Sequence, residues 1–130
     1  MLGEMLRDAR FAPVLRHLTY LYQELRELEA RERELLDKIN EIVRQHAPVR
    51  GTLVYKWVLN KVGKRYWYWY LHVKKGGRTR SIYLGKEIPR HIVEGIAARR
   101  HIRILERQLR EVSRRRLELE QRLRSIFYRV

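Results

Sequence analysis

The ladder Tyr66-Trp67-Tyr68-Trp69-Tyr70 is bracketed by cations, with Lys61, Lys64 and Arg65 before it and Lys74, Lys75, Arg78 and Arg80 after it. Rings stack on bases and fixed cations hold phosphates, so the two side-chain types together suit nucleic acid. The surroundings sharpen the signal. Between Glu41 and Glu87 there is no acidic residue, while eleven Lys and Arg and eight aromatics, including all three tryptophans, fall there. The candidate contacts are Lys56, Lys61, Lys64, Arg65, Tyr66, Tyr68, Tyr70, His72, Lys74, Lys75, Arg78, Arg80, Tyr83 and Lys86.

The net charge of +15 is unevenly distributed. Residues 1–50 hold nine bases and nine acids, residues 51–86 nine bases and no acid, and residues 87–130 twelve bases and six acids. Charge confined to one segment makes a local field that steers a polyanion to one surface, whereas a merely solubilising charge would not leave the first fifty residues balanced. Arg99, Arg100 and Arg103 extend that surface into the third segment; the run Arg114-Arg115-Arg116 reads as ordinary solvated helix.

Catalytic chemistry finds little support. The five histidines, His17, His46, His72, His91 and His101, show no metal-ligand spacing with carboxylates, and there is no cysteine. No Gly-rich phosphate loop follows a strand, and no acid lies in the middle segment to hold a catalytic metal ion. The expectation is a non-enzymatic protein with no cofactor and no metal. No apolar run approaches the roughly 20 residues of a membrane span, and the N-terminus has no signal-peptide core, so a cytoplasmic location is expected, nucleoid-associated if DNA is the partner. Arg outnumbers Lys 23 to 7 and Asn, Gln, Met and Cys are scarce; thermophilic proteins share the avoidance of labile side chains.

The elements that must position these residues are legible from periodicity. Leu2, Met5, Leu6 and Ala9 recur at helical spacing, and Pro13 marks a kink or a fresh first turn. From there one seam reads Phe11, Leu18, Leu25, Glu32, Ile39, His46 and the other Val14, Leu21, Leu28, Leu35, Ile42. Leu15, Tyr22, Leu36 and Val43 widen the stripe, enough to pack against more than one helix. Ala47-Pro48 ends this helix. A second helix opens at Pro89, with seams Ile102, Leu109, Arg116, Leu123 and Leu105, Val112, Leu119, Ile126, and with Gly95 allowing close approach. Two heptad helices separated by a short segment predict an antiparallel hairpin, with the extra apolar edge predicting a homodimer. Glu32 and Arg116 interrupt the seams. Either they meet, within one chain or across a dimer, or both snorkel to the rim.

The middle segment reads as a three-stranded meander: strands at Thr52–Leu59, Arg65–Lys74 and Arg78–Leu84, turns at 60–63 and at Gly76-Gly77. A two-residue Gly-Gly loop pairs Lys75 with Arg78, so Leu71 faces Ile82, Trp69 faces Leu84, Tyr70 faces Tyr83, His72 faces Ser81 and Lys74 faces Thr79. Trp67 and Trp69 then belong to an apolar face that covers the helices, and Tyr66, Tyr68, Tyr70 and Tyr83 to a wet face. The first hairpin decides which side Tyr55 and Trp57 take. The fold class expected is α+β: a long antiparallel coiled-coil hairpin (1–50 and 87–130) with a basic aromatic three-stranded sheet (51–86) inserted between the helices.

The stretch from Tyr66 through Gly76-Gly77-Arg78-Thr79-Arg80 to Tyr83-Leu84-Gly85-Lys86 resembles a motif in small archaeal proteins of unknown function. In those, a tyrosine-rich strand, a Gly-Lys/Arg turn and a Tyr-(Leu/Ile)-Gly-Lys strand precede a long charged helix. Some carry a cysteine cluster before the tyrosines; this chain has none, so no metal is implied. The stretch is also similar to the three-stranded sheets with which integrase-type recombinases grip DNA. The resemblance implies an archaeal source and nucleic-acid binding. Three readings follow: a DNA-binding protein, DNA being favoured over RNA; an RNA-binding or ribosome-associated factor; and a coiled-coil scaffold for protein partners.

Overall fold

A computed structural model describes residues 12–129. Leu2, Met5, Leu6, Ala9 and Phe11 therefore lie outside the described residues. The order is α1 (Ala12–Gln45), β1 (Thr52–Leu59), β2 (Arg65–Lys75), β3 (Arg78–Gly85) and α2 (Arg90–Arg129). The protein is α+β, two helices with a three-stranded antiparallel sheet between them in the chain. Pro13 falls in the first turn of α1, where its missing N–H costs no hydrogen bond. Pro89 precedes α2 rather than opening it: its carbonyl accepts from the Ile92 and Val93 amides at 3.0 and 3.2 Å, so it is the capping residue and Arg90 the first helical one. Among the described residues no helix is long and apolar enough to cross a membrane.

The chain divides into two bodies. Residues 12–38 and 105–129 make the helical one. The heptad seams supply its core: Leu21, Leu119 and Leu123 are buried together, with Leu18, Leu25, Leu28 and Ile126 packed against them. Leu35 and Leu105 are buried as well. The two seam interruptions meet within the chain. Arg116 Nε pairs with Glu32 Oε1, Arg116 Nη1 donates to Glu120 at 2.7 Å, and the Ser113 hydroxyl donates to Glu32 Oε2 at 3.0 Å. A further interhelical pair joins Arg115 to Glu24 at 3.0 Å. The flank of this body stays open: Tyr22 and Leu36 are 51 and 47% exposed.

Residues 39–104 make the second body. Its linker is docked on α2 at Gly95, whose carbonyl accepts from the Val49 amide at 3.0 Å. A Cβ on Gly95 would lie 2.7 Å from the Ala47 carbonyl oxygen and run into the Val49 side chain, so the close approach requires glycine. The sheet order is β1-β2-β3. At the second hairpin Gly76 and Gly77 both adopt positive φ, 60 and 78°, as a twist-matched two-residue turn demands. Lys75 thus pairs with Arg78, Leu71 with Ile82 and Tyr70 with Tyr83. The expected pairing of Trp69 with Leu84 is corrected: an irregularity between Trp69 and Tyr70 brings Gly85 opposite Trp69.

The first hairpin is set by Asn60. Its side-chain oxygen accepts from the Val62 and Lys64 amides at 2.9 and 2.8 Å, and its own amide donates to the Lys64 carbonyl. Leu59 consequently pairs with Arg65, Trp57 with Trp67 and Tyr55 with Trp69.

Candidate nucleic-acid interface

Because successive strand residues point to opposite sides, the two registers sort every side chain of the sheet. The tyrosine face carries Lys56, Tyr66, Tyr68, Tyr70, His72, Lys74 and Tyr83. The tryptophan face carries Tyr55, Trp57, Arg65, Trp67, Trp69, Lys75, Arg78 and Arg80. Lys61 and Lys64 occupy the first turn, and Lys86 follows β3. The predicted contacts therefore fall on both faces, and no single flat partner touches all of them at once.

On the tyrosine face the rings hold one another. Tyr83 meets Tyr68 and Tyr70 edge-on at 5.4 and 5.6 Å between centroids, and Tyr66 stacks beside Tyr68 at 6.3 Å. Lys56 lies 4.3 Å from the Tyr70 ring centroid and donates to the Ser81 hydroxyl at 3.3 Å. The Asn60 amide donates to the Tyr66 hydroxyl at 3.4 Å. Cations and rings thereby hold one another in place.

The tryptophan face departs from the expectation of a covered apolar surface. Tyr55, Trp57 and Trp67 are 49, 43 and 48% exposed, and only Leu71 on this face is buried. Tyr55 stacks on Trp67 at 5.2 Å and leans on Trp69 at 4.8 Å. Arg65 lies over the Trp57 ring at 4.6 Å. The reason lies in the partners available. Rings of this size satisfy one another across the strands, so they need no helix above them. The five-residue connection from Asn60 to Lys64 was the signal that places Tyr55 and Trp57 here, because it sets Leu59 opposite Arg65.

A cleft adjoins the far end of the tyrosine face. Thr52, Val54, His72, Lys74 and Thr79 from the sheet, Val49, Arg50 and Gly51 from the linker, and Ile96, Arg99, Arg100 and Arg103 from α2 line a space of about 650 Å³. Ile96, Arg99, Arg100 and Arg103 form one stripe at helical spacing. His72 keeps Nε2 buried without a hydrogen-bond partner. The three arginines thus join His72 and Lys74 in one place, and Arg50 and Thr79 enter a site whose sequence pattern did not mark them. Among the described residues no group of three or more His, Asp and Glu side chains is placed to hold a metal ion.

No curated protein and no solved structure matches the chain. A family does, over residues 25–93, a stretch that begins within α1, takes in the whole sheet and ends in the first turn of α2. The chain belongs to the family described as Domain of unknown function (DUF6788).

Proposed function

We propose that the chain binds nucleic acid through its sheet, duplex DNA before other forms, and acts by binding rather than catalysis. The observation that carries the reading is a three-stranded sheet with ordered rings and cations on both faces and no carboxylate anywhere from 42 to 86. A groove-lying sheet sets its Lys and Arg on phosphates while a few side chains reach base edges. The basic turns at 60–64 and 76–77 sit at its ends, where flanking phosphates pass. A DNA partner places the protein with the nucleoid.

A second reading, single strands or structured RNA, is favoured by the half-exposed stack of Tyr55, Trp67 and Trp69. Unpaired bases stack on such rings and paired bases do not. Duplex DNA, single-stranded DNA and structured RNA titrated in parallel separate the two, at roughly 50 and 200 mM salt. Tightest binding to duplex with a steep salt slope is expected; no binding to any of the three at the lower salt overturns both readings.

The open flank of Tyr22 and Leu36 supports association of two copies through the helices. Light scattering at micromolar concentration tests this, with a dimer mass expected and a monomer mass rejecting it.

A further inference from the structure

We infer that the sheet takes two nucleic-acid segments at once, a duplex on its tyrosine face and an unpaired strand on its tryptophan face. The inference deepens the nucleic-acid reading and rests on it for the class of partner; what it adds is simultaneous occupancy.

The alternation of side chains along a strand makes the two faces independent. A partner on one face is separated by the backbone layer from every ring on the other. Both faces carry cations: Lys56 and Lys74 on the first, Arg65, Lys75, Arg78 and Arg80 on the second. No carboxylate lies between 42 and 86 to repel a phosphate backbone from either side. Two polyanions held this way are roughly 10 Å or more apart, about one Debye length at ~0.1 M salt. The cations of the sheet lie between them, so their mutual repulsion does not forbid joint binding.

The rings differ between the faces in the way that separates paired from unpaired bases. On the tyrosine face Tyr83 crosses Tyr68 and Tyr70 at 67 and 68°. Tyr66 is nearly parallel to Tyr68, but 6.3 Å away and with its hydroxyl held by the Asn60 amide. Crossed rings do not continue a base stack; their hydroxyls suit the phosphates and base edges that a duplex offers. On the tryptophan face Tyr55 and Trp67 are within 24° of parallel at 5.2 Å, and Trp69 follows Tyr55 at 4.8 Å. Tyr55 and Trp67 are exposed, so an unpaired base can extend the row. Arg65, over Trp57 at 4.6 Å, sets a cation beside the rings for the phosphate of that nucleotide. Without duplex an unpaired strand also enters the tyrosine face, whose cations hold any backbone. Duplex and unpaired strand occur together wherever a double helix opens.

The tryptophan face carries all three tryptophans of the chain, so their fluorescence reports on that face alone. The full-length protein is first saturated with a mixed-sequence duplex of about 10 base pairs, one helical turn. A thymine oligonucleotide of about 8 nucleotides is then added, followed by tryptophan quenching and, with a dye-labelled copy, by anisotropy. Little quenching by the duplex, strong quenching by the oligonucleotide and one oligonucleotide per duplex-loaded chain are expected. Arg65→Gln should weaken that second step at least about fivefold at ~50 mM salt, and by more than it weakens the duplex. Lys56→Ala, which removes one cation from the other face, should do the reverse. Both variants keep all three tryptophans, and a matching circular dichroism spectrum checks that each is folded.

Loss of oligonucleotide binding on the duplex-loaded protein, or displacement of the duplex, overturns the inference and leaves the nucleic-acid reading standing. Equal effects of Arg65→Gln and Lys56→Ala on both ligands also overturn it, since the attraction is then only net charge. Quenching by the duplex as deep as by the oligonucleotide overturns it too, because the faces are then not divided. Absence of binding to either ligand removes the reading and the inference together. A ternary complex with face-specific losses supports two sites on one sheet.

Discussion

Arg116 on α2 pairs with Glu32 on α1 at the one level where both heptad seams lose their apolar residue. The two substitutions of the pattern answer each other. Glu120 and then Glu32 hold the Arg116 guanidinium above its usual pKa, against the desolvation that would lower it, and Ser113 fills the remaining oxygen of Glu32. Removing one partner strands the other in the seam, whereas exchanging the charges keeps the pair. Glu32→Arg is expected to lower the melting temperature by several degrees, and Glu32→Arg with Arg116→Glu to recover most of the loss. Equal melting of the single and double variants would show that the pair contributes nothing.

Glu34 gives the acid limb of stability its sign. Hydrogen bonds from Arg31 and Lys38, at 3.0 and 3.2 Å, hold its carboxyl below the usual glutamate value of 4.5. A depressed folded-state pKa contributes stability that is complete above the unfolded value and disappears as pH falls through the folded one. The contribution is therefore expected to decline as pH falls below 4.5 and to be gone below the lower folded-state value, and Glu34→Gln should flatten the melting temperature against pH in that range. The pair is exposed, so the effect is small and screened by salt.

Gly95 should resist the substitution that improves most helices. Alanine at an open helical position gains about 1 kcal/mol over glycine. Here the added methyl meets Val49 and the Ala47 carbonyl, and overpacking of that kind costs about 1–3 kcal/mol. Denaturant unfolding of Gly95→Ala is expected to show a net loss. A gain would mean that the linker leaves the helix at no cost.

The two faces of the sheet make separable predictions. Trp67→Ala removes a half-exposed ring of the Tyr55–Trp67–Trp69 stack and should weaken single strands by roughly 1–3 kcal/mol while sparing duplex. Lys56→Ala removes a cation from the tyrosine face and should weaken every nucleic acid alike, with a salt slope shallower by about one phosphate contact. Fluorescence anisotropy with the two ligand types reads both. Trp67→Ala weakening duplex and single strand equally would argue for a purely structural ring.

The sequence carried the strands and the second register well, because Gly76-Gly77 admits one turn type and each pairing follows from it. It carried the helices equally well, since a seven-residue beat survives the Glu32 and Arg116 interruptions. The shift opposite Trp69 falls on β3: Leu84 is the extra residue between Tyr83 and Gly85, and Gly85, at φ 108°, is a mark that a strand closing at Leu84 leaves out. The exposure of Trp67 departs from the expectation because an apolar ring needs no covering helix where Tyr55 supplies the contact from within the sheet. The cleft was unreadable for a different reason. Arg50, Lys74 and Arg103 are distant along the chain and come together only because the linker docks at Gly95.

Among the described residues the strand order β1-β2-β3 leaves both outer strands with an unpaired row of amides and carbonyls, and Trp57, Val58 and Leu59 on β1 are exposed beside one of them. Such borders ordinarily invite a second molecule to add its own strand. Two copies of this sheet bring nine cations each and no anion to the encounter, so repulsion keeps them apart. A polyanion cancels that repulsion. Solutions of the protein should accordingly stay clear alone, turn cloudy as added polyanion nears charge equivalence, and clear again in excess, so that the same cations govern solubility as well as attraction.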